Sequence, residues 1–276
     1  MTSDSKRFSS LNQRVPTAIV GALAIIGGVS YGMWGYFAVF LIIGGFSLWE
    51  FYRLAIMDEM APLKIWGTIL GMVLFSVSFL IEADIIDPKY ILLAFPLFAS
   101  VFLIKLYKKG ETKPFTHVAY TYLGIVYVSI PFSLLNVIVF DMGHYRYQVI
   151  LGMLFILWAS DTGAYFSGIL FGKKKLFERV SPKKTWEGSI GGGVLGLIMA
   201  YVFSLYFSDL TMIQWFVAAA LIVIAGTYGD LVESLFKRSI AIKDSGESLP
   251  GHGGFLDRFD GLLLASPFMA AFIKLI

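Results

Sequence analysis

The sequence predicts an all-α polytopic integral membrane protein, and three observations carry that prediction. Of its residues 57% are hydrophobic and only 15% charged, whereas a soluble domain carries about 25% charged residues. Mean hydropathy is +0.75. Nine apolar runs follow one another along the chain, each near the roughly 17 to 25 residues that a helix needs to cross about 30 Å of hydrocarbon.

In order, the runs lie at about 15–31, 33–52, 65–83, 89–107, 115–140, 147–171, 188–208, 211–236 and 257–275. The first two are separated only near Gly32, and the last is interrupted by Pro267. Met1 to Arg14 is polar, and the run after it has no small-residue cleavage site, so no removable signal peptide is expected. Glycines recur at Gly27-Gly28, Gly44-Gly45 and Gly188 to Gly196, a spacing that lets membrane helices approach closely.

Charge supplies an independent check on the count. Cytoplasmic loops are rich in Lys and Arg, and with nine spans alternate segments collect 19 of the 22 basic residues, leaving Lys89, Arg146 and Lys274 opposite. The expectation is an N-terminus in the cytoplasm and a C-terminus outside. Two regions are expected: residues 1–146, five helices poor in ionisable groups and suited to lipid access or dimerisation, and residues 147–276, four helices that hold the chemistry. Glu50 lies three residues before Arg53, which suggests a local ion pair, and Lys105, Lys108, Lys109 and Lys113 read as a topology determinant. The absence of Cys excludes disulfides, thiolate catalysis and Cys-ligated zinc, so any metal must be held by oxygen or His ligands, which favours hard cations such as Mg²⁺.

From residue 147 polar groups enter the apolar runs. Asp161 lies within such a run, where a carboxylate costs roughly 2.5 to 3.5 kcal/mol on insertion scales and needs a partner, a wet cavity or a metal. A functional role and a structural hydrogen bond to a neighbouring helix both remain open. The stretch from Gly172 to Gly188 contains Ser181, Lys183, Lys184, Thr185 and Glu187. Lysines that neutralise phosphate oxygens, hydroxyls that donate to them and the N-terminus of the next helix suit a nucleotide phosphate. The stretch lacks the Gly-x-x-x-x-Gly-Lys-[Ser/Thr] pattern of a Walker A loop.

The densest chemistry runs from Asp230 to Asp260. Asp230 and Ser234 are one helical turn apart, with Lys237 a turn further and Arg238 beside it. Lys243, Gly251, His252, Gly253, Gly254, Asp257, Arg258 and Asp260 follow. Asp257 and Asp260 share a face if the last run begins as a helix; a metal centre with Asp161 and Asp230, or surface ion pairs with Arg258, would both account for them. His252 either contacts phosphate or holds its loop.

The string from Ser234 to Asp260, with Leu249-Pro250-Gly251-His252-Gly253-Gly254 at its centre, resembles the signature of CDP-diacylglycerol synthases, also called phosphatidate cytidylyltransferases. Ser181 to Glu187 and Ser160 to Tyr165 are similar to upstream elements of that family. The resemblance implies transfer of the cytidylyl group of CTP to phosphatidic acid, giving CDP-diacylglycerol and pyrophosphate in phospholipid synthesis, with no nucleic-acid partner. It implies a homodimeric multi-pass enzyme of the cytoplasmic (inner) membrane whose site faces the cytoplasm. Asp230, Ser234, Asp257 and Asp260 then match the metal centre, with Mg²⁺ and possible K⁺. Asp230, Asp257 and Asp260, with Lys237, Arg238, Lys243, His252 and Arg258, match the catalytic set. Ser181, Lys183, Lys184, Thr185, Glu187, Asp161, Gly251, Gly253 and Gly254 match substrate-binding positions.

Two other classes share some of these features. A CTP-dependent lipid-alcohol kinase would transfer the γ-phosphoryl group to a hydroxyl, and the intact Ser234 to Asp260 string argues against it. A transporter or channel would also place carboxylates in the membrane, but the basic loops all fall on one side and no internal repeat is recognisable.

Overall fold

A computed structural model describes residues 3–57, 61–242, 245–246 and 253–276, with side chains from Pro16 onward. Each of the nine apolar runs falls on a helix. These are α1 (Ser3–Tyr31), α2 (Met33–Met57), α3 (Lys64–Glu82), α4 (Pro88–Tyr107), α5 (Pro114–Val139), α6 (Tyr147–Phe171), α7 (Trp186–Tyr206), α8 (Met212–Ser239) and α9 (Leu256–Leu275). Among the described residues, the seven helices α2 to α8 are long and apolar enough to cross a membrane, and the apolar part of α1, Pro16–Tyr31, is shorter. Helix α9 has 20 residues but carries Asp257, Arg258 and Asp260 in its first turns and Lys274 in its last.

Local chemistry explains where the helices begin and end. Gly32 separates α1 from α2 with φ at +142°, a value that side-chain-bearing residues rarely adopt. Asp87 caps a 3₁₀ first turn of α4, accepting from Lys89 N–H at 2.8 Å with Pro88 at the first position. Helix α5 contains a π-helical turn at Ile125–Ser129 just before Pro131. Proline has no N–H to donate to the preceding turn, and such widened turns absorb the lost bond. Thr211 and Gln214 form a reciprocal capping box at the start of α8.

The chain divides into two compact units. The first comprises Met1–Val77, Asp87–Ile130 and Ile242–Arg258. In it the fully buried Tyr52 donates from its hydroxyl to Thr121 O at 2.7 Å, its ring so close to Gly67 and Gly124 that a methyl group at either would stand 2.5 Å from a ring atom or the hydroxyl. Leu70, Val101, Val118 and Ile125 form an apolar cluster nearby. Lys105, one of the lysines read as a topology determinant, is buried: its ammonium donates to Ala61 O at 2.8 Å and to Glu111 at 3.1 Å. Glu111 also meets Lys108 at 3.3 Å and His117 Nδ1. An enclosed charge needs such partners to offset its desolvation.

The second unit comprises Ser78–Ile86, Pro131–Ala241 and Phe259–Ile276. Its frame is the contact of α6, α7 and α8, where backbones nearly touch. A methyl group at Gly163 would lie 2.6 Å from Gly191 O, and one at Gly192 would lie 2.7 Å from Ser160 O. On α8, Gly229 gives the same room to the backbone of Asp260 on α9, and Gly226 faces Gly261. Two antiparallel hairpins complete this unit: β1 (Phe140–Asp141) with β2 (His144–Tyr145), and β3 (Lys175–Phe177) with β4 (Ser181–Thr185).

Two outcomes are expected. Gly192→Val forces α7 away from Ser160 and lowers the thermal unfolding midpoint in detergent by the equivalent of about 1–3 kcal/mol; an unchanged midpoint would refute the close contact. Burial alone would raise the Glu111 pKa, but hydrogen bonds from Lys105, His117 and Lys108 outweigh it and hold the carboxyl down to about 2. A depressed pKa stabilises above the ordinary value and is lost as pH falls. The unfolding midpoint of the wild type therefore falls more steeply between pH 4.5 and 2 than that of Glu111→Gln, and parallel curves would contradict the assignment.

Candidate active site

The stretch between α6 and α7, read from sequence as a loop, is the β3–β4 hairpin, with Lys175 opposite Thr185 and Phe177 opposite Ser181. Its base is tied by Trp186 N–H donating to Lys174 O at 3.0 Å. Thr185 caps α7, its Oγ1 accepting from Gly188 N–H at 3.1 Å. Glu187, in the first turn of α7, accepts from the backbone N–H of Lys173 at 3.1 Å and of Lys174 at 3.2 Å. Both side chains thus shape the hairpin itself. Lys183 stands exposed and Ser181 half-buried on β4.

Lys184 turns from the same strand to α8. Its ammonium lies 2.7 Å from Asp230 Oδ2 and donates to Thr227 O at 3.1 Å. Ser234, one turn along α8, donates to Asp230 Oδ1 at 3.2 Å, as the i, i+4 spacing requires. The structure therefore gathers Lys184, Asp230 and Ser234. Asp260 belongs to the same neighbourhood, since the charges of Asp230 and Asp161 both act on it and Glu233 lies within hydrogen-bonding reach of its carboxyl group. Its Oδ1 accepts from the N–H of Gly261 at 2.7 Å. Lys237 shares the helix but binds Glu233 at 2.8 Å, one turn back, in a pair whose carboxylate is only 1% exposed. Arg238 is exposed.

In the first unit Asp257 organises the turn before α9. Its Oδ2 accepts from the N–H of Ser245 and of Gly254, both at 3.0 Å. Gly253 has φ +84°, and a methyl group there would lie 2.7 Å from Asp257 Oδ2, so both conformation and space call for glycine. Arg258 is exposed. Lys243, Gly251 and His252 lie outside the described residues.

Among the described residues, no three His, Asp or Glu side chains gather closely enough to hold a metal unaided. The donors that do meet, the Asp230 carboxylate and the Ser234 hydroxyl, are hard oxygens of the type Mg²⁺ takes. A groove between α7 and α8 is wholly apolar, lined by Val194, Leu197, Ile198, Tyr201 and Phe216, and takes in none of these polar groups.

Sequence reading missed Glu50, Arg53 and Glu233. Glu50 and Arg53, expected as a local pair, both reach out of α2: Glu50 Oε2 accepts from Leu256 N–H at 3.0 Å, and Arg53 donates to Ser245 O at 3.0 Å. The available signal was Glu50 inside an apolar run and Glu233 four residues before Lys237.

Fold and site together define a multi-pass helical membrane protein in which a hairpin lysine is set against a helix-borne carboxylate. Comparison with known proteins narrows this. The sequence profile described as Cytidylyltransferase family matches residues 12–276. A phosphatidate cytidylyltransferase of Bacillus subtilis (strain 168) is 32% identical over 266 residues, 94% of this chain and 96% of its own length. Those of Haemophilus influenzae and Staphylococcus haemolyticus are 45% and 42% identical over 130 and 157 residues, alignments that span 45% and 58% of their own lengths. The chain belongs to the cytidylyltransferase family, and it is a nucleotidyltransferase.

Proposed function

We propose that this protein is a phosphatidate cytidylyltransferase of the cytoplasmic membrane, making CDP-diacylglycerol and pyrophosphate from CTP and phosphatidate. The observation that carries the reading is the ion pair of Lys184 with Asp230, which sets a phosphate-suited hairpin against the carboxylate helix that bears the family signature. A phosphatidate oxygen, already anionic at neutral pH, attacks the α-phosphorus of CTP in line, and pyrophosphate leaves from the opposite side. No strong general base is needed.

Lys183, Lys184 and Ser181 bind and orient the triphosphate, while Thr185 and Glu187 keep the hairpin in shape through the bonds described above. Asp161 and the glycines Gly251, Gly253 and Gly254 border the substrates. Lys237, Arg238, Lys243, Arg258 and His252 neutralise charge that develops on the leaving pyrophosphate. Asp230, Ser234, Asp257 and Asp260 would hold Mg²⁺, with K⁺ as a second cation, and Lys184 would pass from Asp230 to a phosphate oxygen. A bound divalent ion would supply charge neutralisation for the non-bridging oxygens.

The distribution of 19 of 22 basic residues supports nine crossings, an N-terminus in the cytoplasm and a site on that face, where CTP is available. Residues 147–276 carry the transfer chemistry, residues 1–146 serve lipid access or dimerisation, and the family resemblance supports a homodimer.

Purified protein given α-labelled CTP, phosphatidate and Mg²⁺ is expected to transfer label into a lipid liponucleotide. Transfer of only a γ-label to a lipid alcohol would identify a kinase and overturn the proposal. Asp257→Asn and Asp260→Asn are each expected to lower turnover by about a hundredfold or more with folding retained, on the scale of losing one preorganised charged group; wild-type rates in either variant would remove that carboxylate from the site.

A further inference from the structure

Helix α2 presents Phe46, Glu50 and Arg53 at i, i+4 and i+7, one stripe of its surface. All three engage the segment that leads into α9. Phe46 stacks on Phe255 with centroids 5.1 Å apart and planes 13° from parallel. Glu50 accepts from Leu256 N–H, and Arg53 holds Ser245 O, whose own residue's N–H is held by Asp257. Ser245 is therefore held through both its N–H and its C=O.

Glu50 is 1% exposed and Leu256 is fully buried. A carboxylate so enclosed is costly unless hydrogen bonds or an opposite charge offset its desolvation, and here the hydrogen bond is made by Oε2 while Oε1 accepts none. The packing around it leaves no slack. A methyl group on Gly246 would lie 2.8 Å from Arg53 Nη2 and 3.0 Å from Glu50 Oε1, and one on Gly254 would collide with both Glu50 Oε2 and Ser245 Oγ. Two glycines of the signature thus have a partner that the signature does not contain, nearly two hundred residues earlier in the chain.

We infer that Glu50 is a positioning residue for the transfer reaction: it fixes the first turn of α9 from α2 and so sets the orientation of Asp257. The inference rests on the phosphatidate cytidylyltransferase reading for its kinetic consequence, but the brace itself is a property of the fold. Glu50 touches no substrate in this scheme.

The test compares Glu50→Ala, Glu50→Gln, Gly254→Ala and the double variant Glu50→Ala/Gly254→Ala in the full-length detergent-purified protein. Kinetics with CTP and phosphatidate, thermal midpoint, and hydrogen–deuterium exchange across residues 245–257 are measured for each. Glu50→Ala is expected to lower kcat about 10- to 100-fold, the loss of one hydrogen bond to a charged group, with KM for CTP and the midpoint little changed and exchange at 245–257 faster. Glu50→Gln, which keeps an acceptor for Leu256 N–H, is expected to recover kcat to within about threefold of wild type. Gly254→Ala should be damaging alone yet add little on Glu50→Ala, because both disturb one contact.

Wild-type kcat and exchange in Glu50→Ala would overturn the inference. Equal losses of kcat and midpoint in both Glu50 variants would also overturn it, by assigning the residue to global stability. Should wild-type protein make no liponucleotide, the functional reading fails, and the exchange data still decide whether Glu50 braces the turn.

Discussion

The arrangement depends on the rule that a charge drawn out of water must find a partner. Asp230 sits on α8, one of the helices apolar enough to cross a membrane, and Lys184 meets it from the β3–β4 hairpin at 2.7 Å. That pair does more than neutralise a carboxylate. Lys184 also donates to the backbone carbonyl of Thr227, so the hairpin is pinned to α8 at two points on one turn. The pair is half open to its surroundings, with the Lys184 and Asp230 side chains 24% and 43% exposed. An ion pair of that exposure is weak enough to exchange partners, which is the property the proposed phosphate and cation binding requires.

Small residues make this geometry reachable. With α6 and α7 in backbone contact at Gly163 and Gly192, and with α8 and α9 in contact at Gly229 and Gly226, the charges of Asp161 and Asp230 come near enough to act on Asp260. In lipid there is little hydrophobic force between helices, so close packing of this kind carries the association. Glycines of the signature segment follow a different logic. Gly253 is favoured by its positive φ, while Gly254 lies close against the Glu50 and Ser245 side chains and Gly246 against the ends of Arg53 and Glu50.

Much of this was legible in the sequence because it depends on composition and short spacings. Among the described residues each apolar run falls on a helix, seven of them long and apolar enough to cross a membrane, Gly32 marked the first break, and the i, i+4 relation of Asp230 to Ser234 appeared as a hydrogen bond. What the sequence hid depends on contacts between distant residues. Glu50 and Arg53 look like a local pair at three residues' separation, yet their partners are Leu256 and Ser245. Lys105 reads as one more loop lysine, but Glu111 and the carbonyl of Ala61 hold it inside. Thr185 and Glu187 read as nucleotide-site residues, and their visible work is to cap α7 and tie the hairpin. Residue type announces chemistry, but only the fold says whether that chemistry is spent on a ligand or on the chain.

The central claim is that the carboxylates near Lys184 form a cation site, and Mn²⁺ titration followed by electron paramagnetic resonance tests it most directly, with Mn²⁺ standing in for Mg²⁺. Full-length protein is expected to bind Mn²⁺ at a site that Mg²⁺ competes for, and Asp230→Asn and Asp260→Asn are each expected to weaken that binding about tenfold or more. Equal affinity in wild type and both variants would contradict the account.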